Sequence, residues 1–196
     1  DSNFSANEFR ELIDARARID VVYPGVAPRL AKIERRPDDS PFALVVGTVE
    51  ARKNLMTLIE ALPALPSLRI ISVGPPTPYG DDVKARAAEL HVADRLELRG
   101  YVSAEALDDL YTRATCALIP SRYEGFGYAL AEAMTAGLPA IAANSSSLTE
   151  LATSEIPLIP PNDIDAWTQS IRALLNNREE VERTAQRIRA ATIARF

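Results

Sequence analysis

The chain has 196 residues, 47% of them hydrophobic and 25% charged, with a formal net charge of -5. That is enough apolar material for one sizeable core, and the acidic balance argues against general affinity for nucleic acid, so an anionic ligand must be held by a few local basic groups. The lone Cys116, within the apolar run Cys116-Ala117-Leu118-Ile119, excludes an internal disulfide. It reads as a buried small side chain in a reducing compartment, neither nucleophile nor metal ligand.

In chain order, residues 7–16 read as a helix and Val21-Val22 as a small strand, followed by a proline-rich, charged connection from Pro24 to Pro41 that reads as a linker. Residues 1–41 are thus expected to form a helix and linker segment, and residues 42–196 the main core of a single domain. From Phe42 onward, short β-rich runs alternate with helical periodicity. The strands are expected at Phe42 to Val46, Leu68 to Val73, Leu96 to Arg99, Cys116 to Ile119, Ala140 to Ala143 and Ile156 to Ile159. Helices are expected between them at residues 55–62, 81–90, 104–113, 128–136 and 148–152, with two more at 163–175 and 179–191. This alternation predicts an α/β fold with a Rossmann-like, doubly wound parallel sheet of about six strands, in which ligands sit outside the carboxyl ends of the strands. No apolar run approaches the ~18 residues of a membrane span, and Asp1-Ser2-Asn3-Phe4 lacks a signal pattern, so a cytoplasmic chain is expected. The abrupt stop at Phe196 suggests a piece of something longer.

The loops after strands carry the chemistry. After the first main strand comes Gly47-Thr48-Val49-Glu50-Ala51-Arg52-Lys53-Asn54, with a helical pattern from Leu55. Gly47 lets a ligand approach the backbone, and Arg52 and Lys53 at a helix start place two cations beside unpaired amides. A diphosphate clamp and a pair of solvated surface charges both fit, and Lys53 is expected to be exposed. Gly74-Pro75-Pro76 reads as a stiff turn that ends a strand.

After the strand ending at Ile119 comes Pro120-Ser121-Arg122-Tyr123-Glu124-Gly125-Phe126-Gly127, and a helix then opens. Gly125 and Gly127 free the backbone to turn its amides outward, and the positive end of the helix points at the loop. Glu132 lies in the second helical turn between Ala131 and Ala133, where an unpartnered carboxylate would be costly. With a rise of ~1.5 Å per residue, Glu132 can reach a ligand ~8–10 Å from one gripped by Glu124. An extended ligand with hydroxyls at both ends and a diphosphate between them satisfies the pattern; helix-face charge satisfies it too.

These segments resemble the retaining nucleotide-sugar glycosyltransferases of family four (group 1), which have the two-domain GT-B fold. The resemblance rests on the two acids Glu124 and Glu132 with seven residues between them. It extends to Val22-Tyr23-Pro24-Gly25-Val26, Arg52-Lys53-Asn54-Leu55, Gly100-Tyr101-Val102-Ser103 and Glu132-Ala133-Met134, in family order over nearly the whole chain. It implies that the chain is the C-terminal, donor-binding half of a longer enzyme. Ser2-Asn3-Phe4-Ser5 resembles the end of the acceptor-binding half, and Phe196 the start of a helix that crosses back to it. Arg52 and Lys53 would grip the donor diphosphate, Glu124 the transferred sugar and Glu132 the ribose. The backbone at Gly125, Phe126, Gly127, Tyr128 and Ala129 would face sugar and phosphate, Gly47 would border the donor, and Gly100, Tyr101 and Val102 would lie along the base.

The Arg52-Lys53-Asn54-Leu55 form resembles mannosyl-transferring members, which implies GDP-mannose ahead of a UDP-sugar. The acceptor, a sugar or lipid-linked glycan, would be held by the other half, leaving the lone fragment without transfer activity and placing the whole enzyme in the cytoplasm or at the inner face of the membrane. Ala51 before the Arg-Lys pair, Tyr128-Ala129, and Thr149 before Glu150 depart from the usual family residues and bear on donor specificity. No acidic pair in a strand-end loop suggests a metal site, no cofactor is implied, and His91 reads as a surface or capping residue. A nucleotide-sugar epimerase on the same fold and a non-catalytic binding module are the alternatives; a dinucleotide dehydrogenase is weakest, since no glycine fingerprint follows a strand.

Overall fold

The structure is a computed structural model that describes residues 1–195; the expectation for Phe196 lies outside the described residues. Six strands form one sheet: β1 Phe42–Val46, β2 Arg69–Val73, β3 Leu96–Leu98, β4 Cys116–Ile119, β5 Ala140–Ala143 and β6 Leu158–Ile159. Their order is β3-β2-β1-β4-β5-β6 and every pairing is parallel. The helices are α1 Asn3–Leu12, α2 Leu55–Ala61, α3 Tyr79–Glu89, α4 Ala104–Arg113, α5 Tyr128–Ala136, α6 Leu148–Leu151, α7 Ile164–Asn176 and α8 Arg178–Arg195. The expected fold class is the observed one.

Central strands of a parallel sheet are covered on both faces and therefore read as unbroken apolar runs. Cys116-Ala117-Leu118-Ile119 and Ala140-Ile141-Ala142-Ala143 are buried at every position, whereas edge strand β3 alternates partly buried and exposed residues. Helix α2 packs against α3 and α7, and α5 against α4 and α8, with Trp167 and Tyr111 fully buried. Burial pushes the Cys116 thiol up to about 12, so it is an inert core group. His91 is exposed just past α3 with φ 55, in keeping with a surface position. Among the described residues no helix is long and apolar enough to cross a membrane.

The first forty residues differ from expectation. Helix α1 begins at Asn3 rather than Asn7, because the Ser2 hydroxyl accepts from the amide of Ser5 and caps it. Val21-Val22 form no strand, and Val22 is exposed. The stretch from Pro24 to Pro41 is no free linker, since Leu30 and Ile33 enter the core. Arg35 donates to the carbonyls of Thr112 at 3.0 Å and Ala114 at 2.6 Å and pairs with Glu182 at 2.7 Å. The stretch looks like a linker in sequence because its anchor is a charged side chain. Buried, that guanidinium serves the orphan carbonyls at the end of α4.

Candidate functional site

The winding of the sheet reverses between β1 and β4, where neighbouring strands send their outgoing loops in opposite directions and open a crevice. The loop after β1 begins at Gly47, whose φ of 137 belongs to glycine. A Cβ there would stand 3.1 Å from Lys53 Cε, so the aliphatic stem of Lys53 runs directly over this residue. Gly47 therefore makes room for a side chain of the protein itself. Behind it, Gly74 has φ 152, and a Cβ would meet the Gly47 carbonyl oxygen at 2.1 Å.

Arg52 and Lys53 lie in a short 3-10 turn, Ala51–Lys53, and α2 starts only after Asn54, which takes the left-handed conformation with φ 58. Asn54 is completely buried. Its side-chain amide donates to the carbonyls of Pro120 at 3.1 Å and Pro161 at 2.7 Å, tying the β1 loop to those after β4 and β6.

From this turn Lys53 Nζ reaches Glu124 Oε1 at 2.6 Å, and Arg52 Nη1 lies 3.4 Å from Oε2 while its Nη2 pairs with Glu50 at 2.8 Å. Lys53 is not the exposed cation expected: its side chain is 17% accessible and that of Glu124 9%. Glu124 Oε1 also accepts from the Ser121 hydroxyl at 2.7 Å. The loop around Glu124 is held by three serines of another segment. Ser146 Oγ accepts from the Glu124 amide at 2.8 Å, Ser147 Oγ donates to the Glu124 carbonyl at 2.8 Å, and Ser145 Oγ donates to the Ser121 carbonyl at 2.6 Å.

Gly127, with φ 100, turns the chain into α5. A Cβ there would come within 2.8 Å of Leu148 Cδ2. The amides of Gly125, Gly127, Tyr128 and Ala129 donate to no acceptor among the described residues. The amino end of a helix thus opens beside Lys53 and Arg52. The Phe126 ring is buried and meets the exposed Tyr128 ring edge-on at 5.3 Å.

Glu132 is not drawn into this cluster. Its Oε2 accepts at 2.9 Å from the hydroxyl of Tyr111, in the last turn of α4, the helix that follows the Gly100-Tyr101-Val102 loop. Burial raises the Glu132 carboxyl above its usual range, opposed by the Tyr111 hydrogen bond. Burial, followed by the neighbouring Glu132 charge, raises Tyr111 well above its own. Gly100 has φ 67 and accepts from the Gly74 amide at 2.8 Å, Tyr101 is 87% exposed, and Val102 packs on the core.

The sequence reading assigned no role to Asn54, Ser121 or Ser145 to Ser147. An asparagine just before a helical pattern and a serine run after an apolar strand are the traces they leave, because their partners lie far away along the chain. Chemically, the site offers two cations, a helix amino end and one carboxylate at a strand-end crevice. Anionic oxygens suit the first two and hydroxyls the last.

The family described as glycosyl transferases group 1 matches residues 27–191. Over 135 residues the chain is 35% identical to an O-antigen chain mannosyltransferase B of Escherichia coli, covering 66% of this chain and 35% of that protein. Over 176 residues it is 30% identical to a D-inositol 3-phosphate glycosyltransferase of Mycolicibacterium smegmatis, covering 82% of this chain and 41% of that one. The chain thus spans well under half the length of these relatives. Sucrose-phosphate synthase from Thermosynechococcus elongatus superposes with a TM-score of 0.89 at 25% identity, over 98% of this chain and 52% of that one. An Anabaena protein crystallised with UDP and glucose shares the fold with a TM-score of 0.74 at 22% identity, over 80% of this chain and 45% of that one.

Proposed function

The chain belongs to the glycosyl transferases group 1 family, and from that premise we propose that it is the donor-binding half of a retaining enzyme that moves a sugar from a nucleoside diphosphate to a hydroxyl acceptor. The observation that carries this reading is the junction at the strand crossover, where Lys53 and Glu124 meet at 2.6 Å beside the unpaired amides of Gly125, Gly127, Tyr128 and Ala129. The diphosphate lies between those amides and the two cations. When the bond from the anomeric carbon to the diphosphate oxygen breaks, its electron pair goes to the diphosphate. Arg52, Lys53 and the end of α5 stabilise the charge that develops there.

Glu124 Oε1 is occupied by Lys53 and Ser121, while Oε2 has only the long contact to Arg52. Oε2 is therefore the oxygen that accepts from a sugar hydroxyl. Glu132 serves the ribose and the loop of Gly100, Tyr101 and Val102 the base. The E. coli relative's name supports a mannosyl donor and hence GDP-mannose, whereas the UDP complex of the Anabaena protein supports a uridine donor. The acceptor binds to the other half of the longer protein, so this chain alone turns donor over no faster than slow hydrolysis. Proximity is worth ~7–11 kcal/mol of barrier, and a lone donor half forfeits most of it.

Calorimetric titration with GDP, UDP, ADP and their sugar conjugates tests the reading. One nucleoside diphosphate is expected to bind, and silence from all of them at millimolar concentration overturns it.

A further inference from the structure

Helix α1 is held to the rest of the chain by an unusual set of contacts. Its only buried residue is Ala6, while Phe9 and Leu12 on it are exposed, so packing contributes little to a ten-residue helix that would be marginal alone. It has no acidic residue in its first turn. That role falls to Glu150, 147 positions away from Asn3. The Asn3 amide at 3.0 Å and side chain at 2.7 Å donate to Glu150 Oε1, the Phe4 amide donates to Oε2 at 3.0 Å, and Tyr23 donates to the same carboxylate. Together these hydrogen bonds outweigh the upward effect of burial and hold Glu150 below the usual carboxylate range. A carboxylate at the positive end of a helix, taking its first two amides, acts as a cap supplied in trans.

What this cap presents is the underside of the loop that carries Glu124. With the first turn of α1 in place, the Ser2 and Ser5 hydroxyls donate to the Gly125 carbonyl at 2.6 and 3.1 Å. Phe4 meets Tyr123 edge-on at 5.7 Å, and Tyr123 Oη donates to Glu8 at 2.5 Å. A trans peptide points its carbonyl and its amide in opposite directions. Two hydroxyls on the Gly125 carbonyl therefore fix the plane of the 125–126 peptide, immediately after Glu124.

We propose that Glu150 is a positioning residue: by capping α1 it holds Ser2 and Ser5 on the Gly125 carbonyl and so sets the loop geometry that receives the sugar portion of the donor. This rests on the donor-site reading above. It bears unequally on two parts of one ligand, because the diphosphate also has Arg52, Lys53 and the amides of Tyr128 and Ala129 at the start of α5, while the sugar portion has only the loop of Glu124.

The test uses Glu150→Ala and, independently, the double variant Ser2→Ala with Ser5→Ala. It measures affinity for a nucleoside diphosphate and for its sugar conjugate, alongside amide hydrogen exchange. Both variants should lose only a few-fold in affinity for the nucleoside diphosphate, through the Gly125 and Gly127 amides, and about tenfold more in affinity for the conjugate, the scale of one well-placed hydrogen bond. Exchange should speed up together at residues 3–6 and at the Glu124 amide, which Ser146 holds. Glu150→Gln, which keeps one acceptor oxygen and turns an amide donor toward the remaining donors, should fall between. Fraying of α1 with unchanged exchange at the Glu124 amide and unchanged conjugate affinity would reduce Glu150 to a helix anchor and overturn the proposal. If the parent binds no nucleotide, the donor-site reading fails, and the coupled or uncoupled exchange of the two segments still decides the proposal.

Discussion

Glu124 and Glu132 stand eight positions apart, yet they live in different chemical surroundings. Glu124 lies in a loop at the strand crossover, where Lys53, Arg52 and Ser121 converge on it, two serines fasten its backbone and a third fastens that of Ser121. Glu132 lies on α5 with the neutral phenol of Tyr111 as its partner and a carboxyl raised by burial. The difference teaches that a spaced pair of acids does not make a paired site. The fold supplies cations to the first acid and desolvation to the second, and under the proposed function the first shares its charged network with the donor while the second is relieved by ribose hydroxyls.

The contrast is broken most severely from beneath. Gly74→Ala places a Cβ against the Gly47 carbonyl at a φ that side chains rarely adopt, and Gly47 in turn carries the Lys53 stem. A loss of about 4 kcal/mol or more in unfolding free energy is expected by denaturant titration, with much of the chain failing to fold. Lys53→Ala removes one member of a largely buried ion pair and leaves Glu124 with Ser121 and a long contact to Arg52. It should cost ~2–4 kcal/mol of stability and weaken nucleoside diphosphate binding at least tenfold. Adding Glu124→Gln should restore part of the stability but none of the binding.

The second acid gives smaller effects. Tyr111→Phe removes the hydrogen-bond donor of a partly buried carboxylate and should cost ~1–2 kcal/mol, with little effect on diphosphate affinity. The smallest effect is in the pH profile. Because the folded-state value of Glu132 is raised, the folded chain holds its proton more tightly than the unfolded one. The associated stability is fully present below the ordinary carboxylate range and is lost as pH rises through the raised value. Glu132→Gln should flatten that slope, so the variant gains on the parent as pH rises from acid toward neutral. A parallel pair of pH profiles would contradict it.

The layered sheet was legible in the sequence because the central strands are buried on both faces and read as unbroken apolar runs, as Cys116 to Ile119 shows. The two site loops were legible because glycines and charges punctuate the ends of those strands. What escaped was set by distant partners. Lys53 looks like a solvated cation until Glu124 arrives from across the sheet, and Arg35 looks like part of a linker until the end of α4 closes over it. Asn54 and the serine run at 145–147 are polar residues whose value lies in carbonyls and amides far along the chain. Periodicity cannot report such pairings, since it records which face a residue takes and not what meets it there.

The most direct measurement is a nitrogen-15 chemical-shift titration of the chain with GDP and with UDP, read residue by residue. Binding at the strand crossover predicts the largest shifts at the amides of Gly125, Gly127, Tyr128 and Ala129 and through the turn Ala51–Lys53, with smaller ones at Gly100 to Val102 and all of them weakened in Lys53→Ala. Saturable shifts that bypass both loops and cluster elsewhere, for example around Leu174 and Ile188 between α7 and α8, would contradict it.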